Sequence, residues 1–237
     1  MQSSFLTTRW TLVVQASSFD AAERQEALSS LMSQNWYPLY CFVRRRGKTH
    51  QAAEDLIQGF FLHVIEKDVL NGVSPYRQSR FRGFLLACLK NFMANDSARE
   101  QAAKRGGDRR IVSLDCTAAE QKFRREPAHS LTAERAFDRV WAIEMIGRSL
   151  ERLAETWAAA DRSSEFELLK PCLLGAETLA RQEVANHLGV SLNTLKVKVH
   201  RLRSDFRQEL CRQVADTLDN QHLLEDEINF LFSSLCT

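Results

Sequence analysis

The stretch "RQEVANHLGVSLNTLKVKVHRLRSDF", residues 181–206, holds the side chains best suited to nucleic-acid chemistry. Leu195, Val199, Leu202 and Phe206 recur at i, i+4, i+7 and i+11, the spacing of a buried helical stripe. The remaining faces carry Asn193, Thr194, Lys196, Val197, Lys198, His200, Arg201 and Arg203. On a helix lying in the major groove, such Lys and Arg side chains reach guanine edges or phosphates. The preceding residues build a helix-turn-helix: Ala185 is small enough for a helix crossing, and Gly189 can take positive φ in the turn. Val184, Leu188, Val190 and Leu195 lock the pair, and Ser191 is placed to cap the second helix. A helical hairpin with a basic solvated face would show the same charges, but spacing, glycine position and charge together favour DNA binding. The motif alone fits a repressor, an activator or a polymerase subunit equally.

The elements that position this motif are helical throughout. Phe81, Phe84, Leu85, Cys88, Leu89, Phe92 and Met93 follow the amphipathic helix template, and so do Ala53, Leu56, Ile57, Phe60, Phe61, Val64 and Ile65. An earlier stripe runs through Leu28, Leu31, Met32, Trp36, Leu39, Tyr40 and Val43, and a later one through Ile143, Ile146, Leu150, Leu153 and Trp157. No alternating strand pattern of comparable quality occurs, so the expected fold class is all-α. Turn residues and charge accumulate between Gly106 and Ser130, where the periodicity fails. The reading is therefore an N-terminal domain over 1–105, a flexible linker over 106–130 and a C-terminal domain over 131–212. The helix-turn-helix occupies 181–203, and an acidic amphipathic extension covers 213–237.

The chain of 237 residues has a formal net charge of only +2, which hides an uneven distribution. Lys196, Lys198, Arg201, Arg203, Arg207 and Arg212 crowd one segment, while the tail holds Asp216, Asp219, Glu225, Asp226 and Glu227 with no Lys or Arg. That pattern suits a nucleic-acid footprint on one part of the molecule. The six cysteines are scattered without a C-x-x-C pair, and the six histidines form no ligand pair on one helix face. No P-loop or nucleophile motif is present, so catalytic residues, a metal site and a cofactor are not expected. The N-terminus shows no signal-peptide pattern and no apolar run approaches membrane-spanning length, so the expected location is the cytoplasm.

Two further helix faces invite contacts. Opposite the stripe of helix 81–99 lie Arg82, Lys90, Asn91, Asn95 and Arg99, a set that suits phosphates and unstacked bases but also an ordinary polar face. Helix 52–66 offers Glu54, Asp55 and Gln58, an acidic edge better suited to a protein partner than to DNA. The tail positions Leu223, Leu224, Ile228, Leu231, Phe232 and Leu235 fit an amphipathic helix. It could pack back on the C-terminal domain, restrain DNA binding or contact a regulator.

Taken together, these segments resemble the bacterial extracytoplasmic-function sigma factors, small members of the sigma-70 family. "YPLYCFVRRRGKTHQAAEDLIQGFFLHVIEK" is similar to their regions 2.1–2.2, "RFRGFLLACLKNFMANDSAREQAAKRGG" to regions 2.3–2.4, and "EVANHLGVSLNTLKVKVHRLR" to region 4.2. "TRWTLVV" and "VADTLDNQHLLEDEINFLF" resemble a subgroup with a short C-terminal extension. The resemblance implies core RNA polymerase as partner, through the β′ clamp helices and the β flap, and promoter DNA as ligand. It leaves room for an anti-sigma factor or other regulator. Glu54, Asp55, Leu56 and Gln58 match the polymerase-docking positions. Where the family usually has an acid, this chain has Gly59, at a cost of about 1 kcal/mol in a helix. For the −10 element the implied contacts are Arg80, Arg82, Phe84, Lys90, Asn91, Asn95 and Arg99, with Asn91 at a flipped base and 74–79 as a specificity loop. At −35 they are Lys196, Val197, His200 and Arg201. A polar residue is commoner where Val197 stands, which leaves a thymine methyl contact or no specific contact. The implied function is a sigma factor without catalytic chemistry of its own. The alternative is a stand-alone helix-turn-helix regulator that binds duplex operator DNA without polymerase.

Overall fold

The structure of the protein, a computed structural model, describes residues 21–67, 69, 80–100, 116–125, 131–173, 178–218 and 220–236. Among these the regular elements are helical: α1 (Ala21–Arg45), α2 (His50–Glu66), α3 (Phe81–Glu100), α4 (Cys116–Arg125), α5 (Ala133–Ala159), α6 (Ser163–Leu173), α7 (Thr178–His187), α8 (Leu192–Ala215) and α9 (Leu224–Leu235). A 3-10 turn, Gln221–Leu223, leads into α9. The chain divides into two compact units, residues 1–143 with 215–237, and residues 144–214. The extension set apart on its apolar spacing is thus grouped, from Ala215 onward, with the N-terminal unit.

The N-terminal unit is built on the stripes seen in the sequence. Leu39, Tyr40, Phe42 and Val43 of α1, with Ile57 and Phe60 of α2, are removed from water, and Phe81, Leu85 and Leu89 of α3 join them. Thr49 starts α2, its Oγ1 accepting from the Ala52 N–H at 3.2 Å. Phe60 and Phe92 pack with ring centroids 5.7 Å apart, and Phe137 and Trp141 of α5 at 5.7 Å. Inside the stretch expected as linker, α4 docks through Glu120. Its carboxylate accepts from the Tyr40 hydroxyl at 2.7 Å, from Arg44 Nη2 at 2.9 Å and from Arg124 Nε at 2.9 Å. Burial alone would raise the Glu120 pKa, but the hydrogen bonds from Tyr40, Arg124 and Arg44 outweigh it and hold the carboxyl at about 2. Burial and the neighbouring Glu120 push the Tyr40 phenol upward. Lack of apolar periodicity hid α4 because polar bonds, rather than a wide apolar stripe, anchor it.

The C-terminal unit closes around Leu153, Trp157, Phe166, Leu169, Cys172, Ala185, Leu195, Val199 and Leu202, contributed by α5, α6, α7 and α8. Between α5 and α6, Asp161 takes φ 58° and the Arg162 N–H donates to the Trp157 carbonyl at 2.9 Å. The Arg162 guanidinium then lies 4.1 Å over the Trp157 ring, covering the edge of the cluster.

Candidate nucleic-acid interface

The crossing of α7 and α8 follows from four residues. Ala185 is fully buried at the crossing, where a larger side chain would separate the helices. Gly189 takes φ 62°, a left-handed conformation that costs other residues about 1–2 kcal/mol. A Cβ there would meet nothing within 4 Å, so the turn requires glycine for its backbone and not for space. The Val190 N–H donates to the Ala185 carbonyl at 3.0 Å, and Ser191 Oγ accepts from the Thr194 N–H at 3.2 Å to cap α8.

With Leu195, Val199 and Leu202 turned inward, α8 presents Asn193, Thr194, Lys196, Val197, His200 and Arg201 to solvent. Val197 is 52% exposed, an uncompensated apolar side chain among cations and amides. Two other residues of the expected set are engaged inside their own unit. Lys198 Nζ lies 2.6 Å from Glu165 Oε1, and the same carboxylate takes Arg162 Nε at 2.9 Å. The bonds from Arg162 and Lys198 hold the Glu165 carboxyl below the usual range. Arg203 Nη2 donates to the Cys172 carbonyl at 3.2 Å near the end of α6. Both side chains tie α8 to α6 and fix the angle at which the exposed row is offered.

Residues expected at −10 sit differently. Asn91 and Asn95 are exposed on α3, and Phe84 is half-buried. Arg82 is only 9% exposed. Its Nε pairs with Glu227 Oε1 of α9 at 3.1 Å, its Nη1 pairs with Asp138 of α5, and its guanidinium lies 4.1 Å over the Phe230 ring. Arg80 Nε pairs with Glu227 Oε2 at 2.9 Å, and Lys90 Nζ with Glu134 Oε1 at 2.8 Å. Burial raises the Asp138 pKa against the opposing pull of Arg82, while the Lys90 bond lowers that of Glu134. Backbone contacts reinforce the join: the Phe81 N–H donates to the Thr217 carbonyl at 3.0 Å, and Arg80 and Leu218 form an antiparallel bridge. The side chain of Arg99 lies outside the described residues, as do the 74–79 loop, the "TRWTLVV" segment and the cations Lys104, Arg105, Arg109 and Arg110 that follow helix 81–99 in the sequence.

On the acidic edge of α2, Asp55 is exposed, Glu54 and Gln58 are half-buried, and Leu56 is buried in the core. Gly59 faces α3, where an added Cβ would make ordinary contact with the Phe92 ring at 3.5 Å.

The sequence shows Glu227 only as one acid of the tail and does not single out Asp138, Glu134 or Glu165, yet these four acids partner the expected DNA-binding cations. A signal for Glu227 was present. It occupies the i+3 position of a stripe whose other members are Leu224, Ile228 and Leu231, and an acid on an apolar stripe calls for a buried cation. Among the described residues, no group of His, Cys, Asp or Glu side chains is arranged to hold a metal ion. None of the described helices is long and apolar enough to cross a membrane.

Comparison with known proteins bears on the family of the chain. The chain is 24% identical over 202 residues to "ECF RNA polymerase sigma factor SigE" of Mycolicibacterium smegmatis, covering 84% of this chain and 68% of that protein. No solved structure matches. A family model described as ECF sigma factor matches residues 42–212, from the last turn of α1 to near the end of α8. The protein belongs to the ECF sigma factor family.

Proposed function

We propose that the chain binds core RNA polymerase and directs it to a particular promoter set by reading −35 and −10 elements. The single observation that carries this reading is the exposed row on α8, Asn193, Thr194, Lys196, Val197, His200 and Arg201, mounted on a capped helix-turn-helix. A helix with this row in the major groove would place Lys196 and Arg201 at guanine edges or phosphates and Val197 near a thymine methyl. At −10, the exposed amides of Asn91 and Asn95 are suited to the edges of unstacked bases, and flipping a base costs a few kcal/mol that such contacts must offset. Asp55 and its neighbours Glu54 and Gln58 form the edge assigned to the β′ clamp helices, with the β flap as the second docking point. Bond formation belongs to the polymerase, and the chain contributes positioning and promoter opening.

Co-purification with core polymerase tests the docking half of this reading. The chain is expected to elute with core, and Asp55→Lys to lose that association while keeping its helical circular dichroism. Equal association of wild type and variant would move the docking site elsewhere. Tight binding of duplex operator DNA with no association to core would favour a stand-alone regulator.

A further inference from the structure

In the N-terminal unit, the three described cations assigned to −10 contact each face an acid from another helix. Lys90 and Glu134 are both about half exposed, at 43% of each side chain, so water and phosphate reach that pair freely. The pairs at the start of α3 are different. Glu227 is 1% exposed, and its two carboxylate oxygens divide between Arg80 at 2.9 Å and Arg82 at 3.1 Å. A carboxylate bridging two guanidinium groups copies the way a phosphodiester is held, with two anionic oxygens and two planar donors. The acid comes from the last helix of the chain, where Glu225 and Asp226 add further negative charge in the same first turn.

We propose that Arg80 and Arg82 form a seat for a phosphodiester of the promoter strand, and that Glu227 fills this seat in the free protein. The C-terminal segment 217–235 is then an acidic strap that competes with DNA for the start of α3. This inference rests on the promoter-binding reading given above and adds an intramolecular competitor to it. Arg80 is the outer member of the seat, with 35% of its side chain exposed against 11% for Arg82. A phosphate therefore meets Arg80 first. Full entry requires the first turn of α9 to move, because Glu227 has almost no access to solvent. Asp138 stays with Arg82 when Glu227 leaves, so opening the seat does not strand the inner guanidinium without a partner. Holding the strap in place are the Phe81–Thr217 backbone bond, the buried Leu218, Ile228 and Leu231, and the bond from Arg139 Nη1 to the Leu235 carbonyl at 3.1 Å. These contacts keep the seat closed in the free chain, and binding to polymerase and DNA together must offset their loss.

The test is a fluorescence-anisotropy titration of mixed-sequence single-stranded DNA with the full chain, comparing wild type, Glu227→Gln, and Glu227→Gln combined with Arg80→Ala. Glu227→Gln is expected to bind at least about threefold tighter, with a steeper salt dependence as further phosphates are neutralised. Adding Arg80→Ala should return the affinity to the wild-type level or below. Equal or weaker binding by a folded Glu227→Gln overturns the strap, leaving Glu227 as a structural ion-pair partner only. If Glu227→Gln does not fold, hydrogen exchange on the wild type decides. Added single-stranded DNA should deprotect the Phe81 amide and those of 224–235, and unchanged or increased protection overturns the proposal. The sigma-factor reading is scored separately by association of the wild type with core polymerase. Loss of that association with a positive anisotropy result leaves the seat standing and removes the sigma assignment.

Discussion

Helix α8, proposed to read the −35 element, and helix α3, proposed to act at −10, carry similar residue types but offer them in opposite electrostatic states. On α8, Lys196, His200, Arg201 and Arg203 stand exposed, while Lys198 is held by Glu165 of α6 and one nitrogen of Arg203 reaches the Cys172 carbonyl. On α3 and the residue before it, Arg80, Arg82 and Lys90 each hold an acid from α9 or α5. The difference arises from neighbours. Among the described residues, no acid pairs with Lys196, His200 or Arg201 on the outer face of α8. The start of α3 lies where α5 and the C-terminal segment both converge, and these supply Asp138 and Glu227. Net charge along a helix is thus a poor guide to charge available for DNA. What counts is whether packing brings a carboxylate within about 4 Å.

The largest effect is expected from Arg82→Ala, which takes from Asp138 its guanidinium partner and leaves the buried Glu227 with Arg80 alone. Loss of about 3–5 kcal/mol of stability is expected in chemical denaturation, against less than about 0.5 kcal/mol for Lys196→Ala on the exposed row. Equal small losses for both would mean that the buried pairing of α3 contributes nothing. Arg201→Ala addresses the other side of the comparison. It should weaken −35 recognition by about 1–3 kcal/mol in footprinting with holoenzyme and relax sequence preference there, with little change in stability. Retained preference would reduce Arg201 to a phosphate contact.

Acid titration probes the N-terminal unit through α4. The Glu120 carboxyl is depressed to about 2 in the folded protein, below its unfolded value of about 4.3. Its contribution to stability is therefore complete above the unfolded pKa and fades as pH falls from about 4.3 toward 2. Glu120→Gln should be less stable at neutral pH and should lose less on acidification across that window. Parallel curves would remove Glu120 as the anchor of α4. The smallest expected effect is a gain. Gly59→Ala in α2 should add about 0.5–1 kcal/mol, since the new Cβ makes ordinary contact with Phe92 at 3.5 Å and the backbone entropy cost of glycine disappears. A loss would show that α2 and α3 pack too closely there to accept a methyl group.

Most of the helical framework was legible because its stripes are apolar and regular. Helix 81–99 of the sequence reading is α3 at Phe81–Glu100, helix 52–66 is α2 at His50–Glu66, and Gly189 adopts the positive φ that its position in the turn required. The polar anchors were not legible in the same way. Helix α4 meets α1 through the Glu120 carboxylate on Tyr40 and Arg44 and through the Phe123 ring on Tyr40, and Tyr40 is 80 residues from Glu120 in sequence, a partnership that no local period records. Arg82 and Glu227 are 145 residues apart. Their pairing needed the fold, although Glu227 on an apolar stripe already marked an acid bound for the interior. Lys198 reads as an outward residue, and only the position of α6 decides that it turns back to Glu165, whereas Arg203 remains exposed while one of its nitrogens reaches the Cys172 carbonyl.

The central claim is that this chain gives core polymerase its promoter choice, and in vitro transcription with purified core on a genomic fragment library tests it most directly. Discrete transcripts are predicted only when the chain is added, with a shared −35 and −10 pattern upstream and start sites that disappear with Arg201→Ala. The same transcript profile with and without the chain, alongside tight binding of duplex DNA by the chain alone, would contradict it.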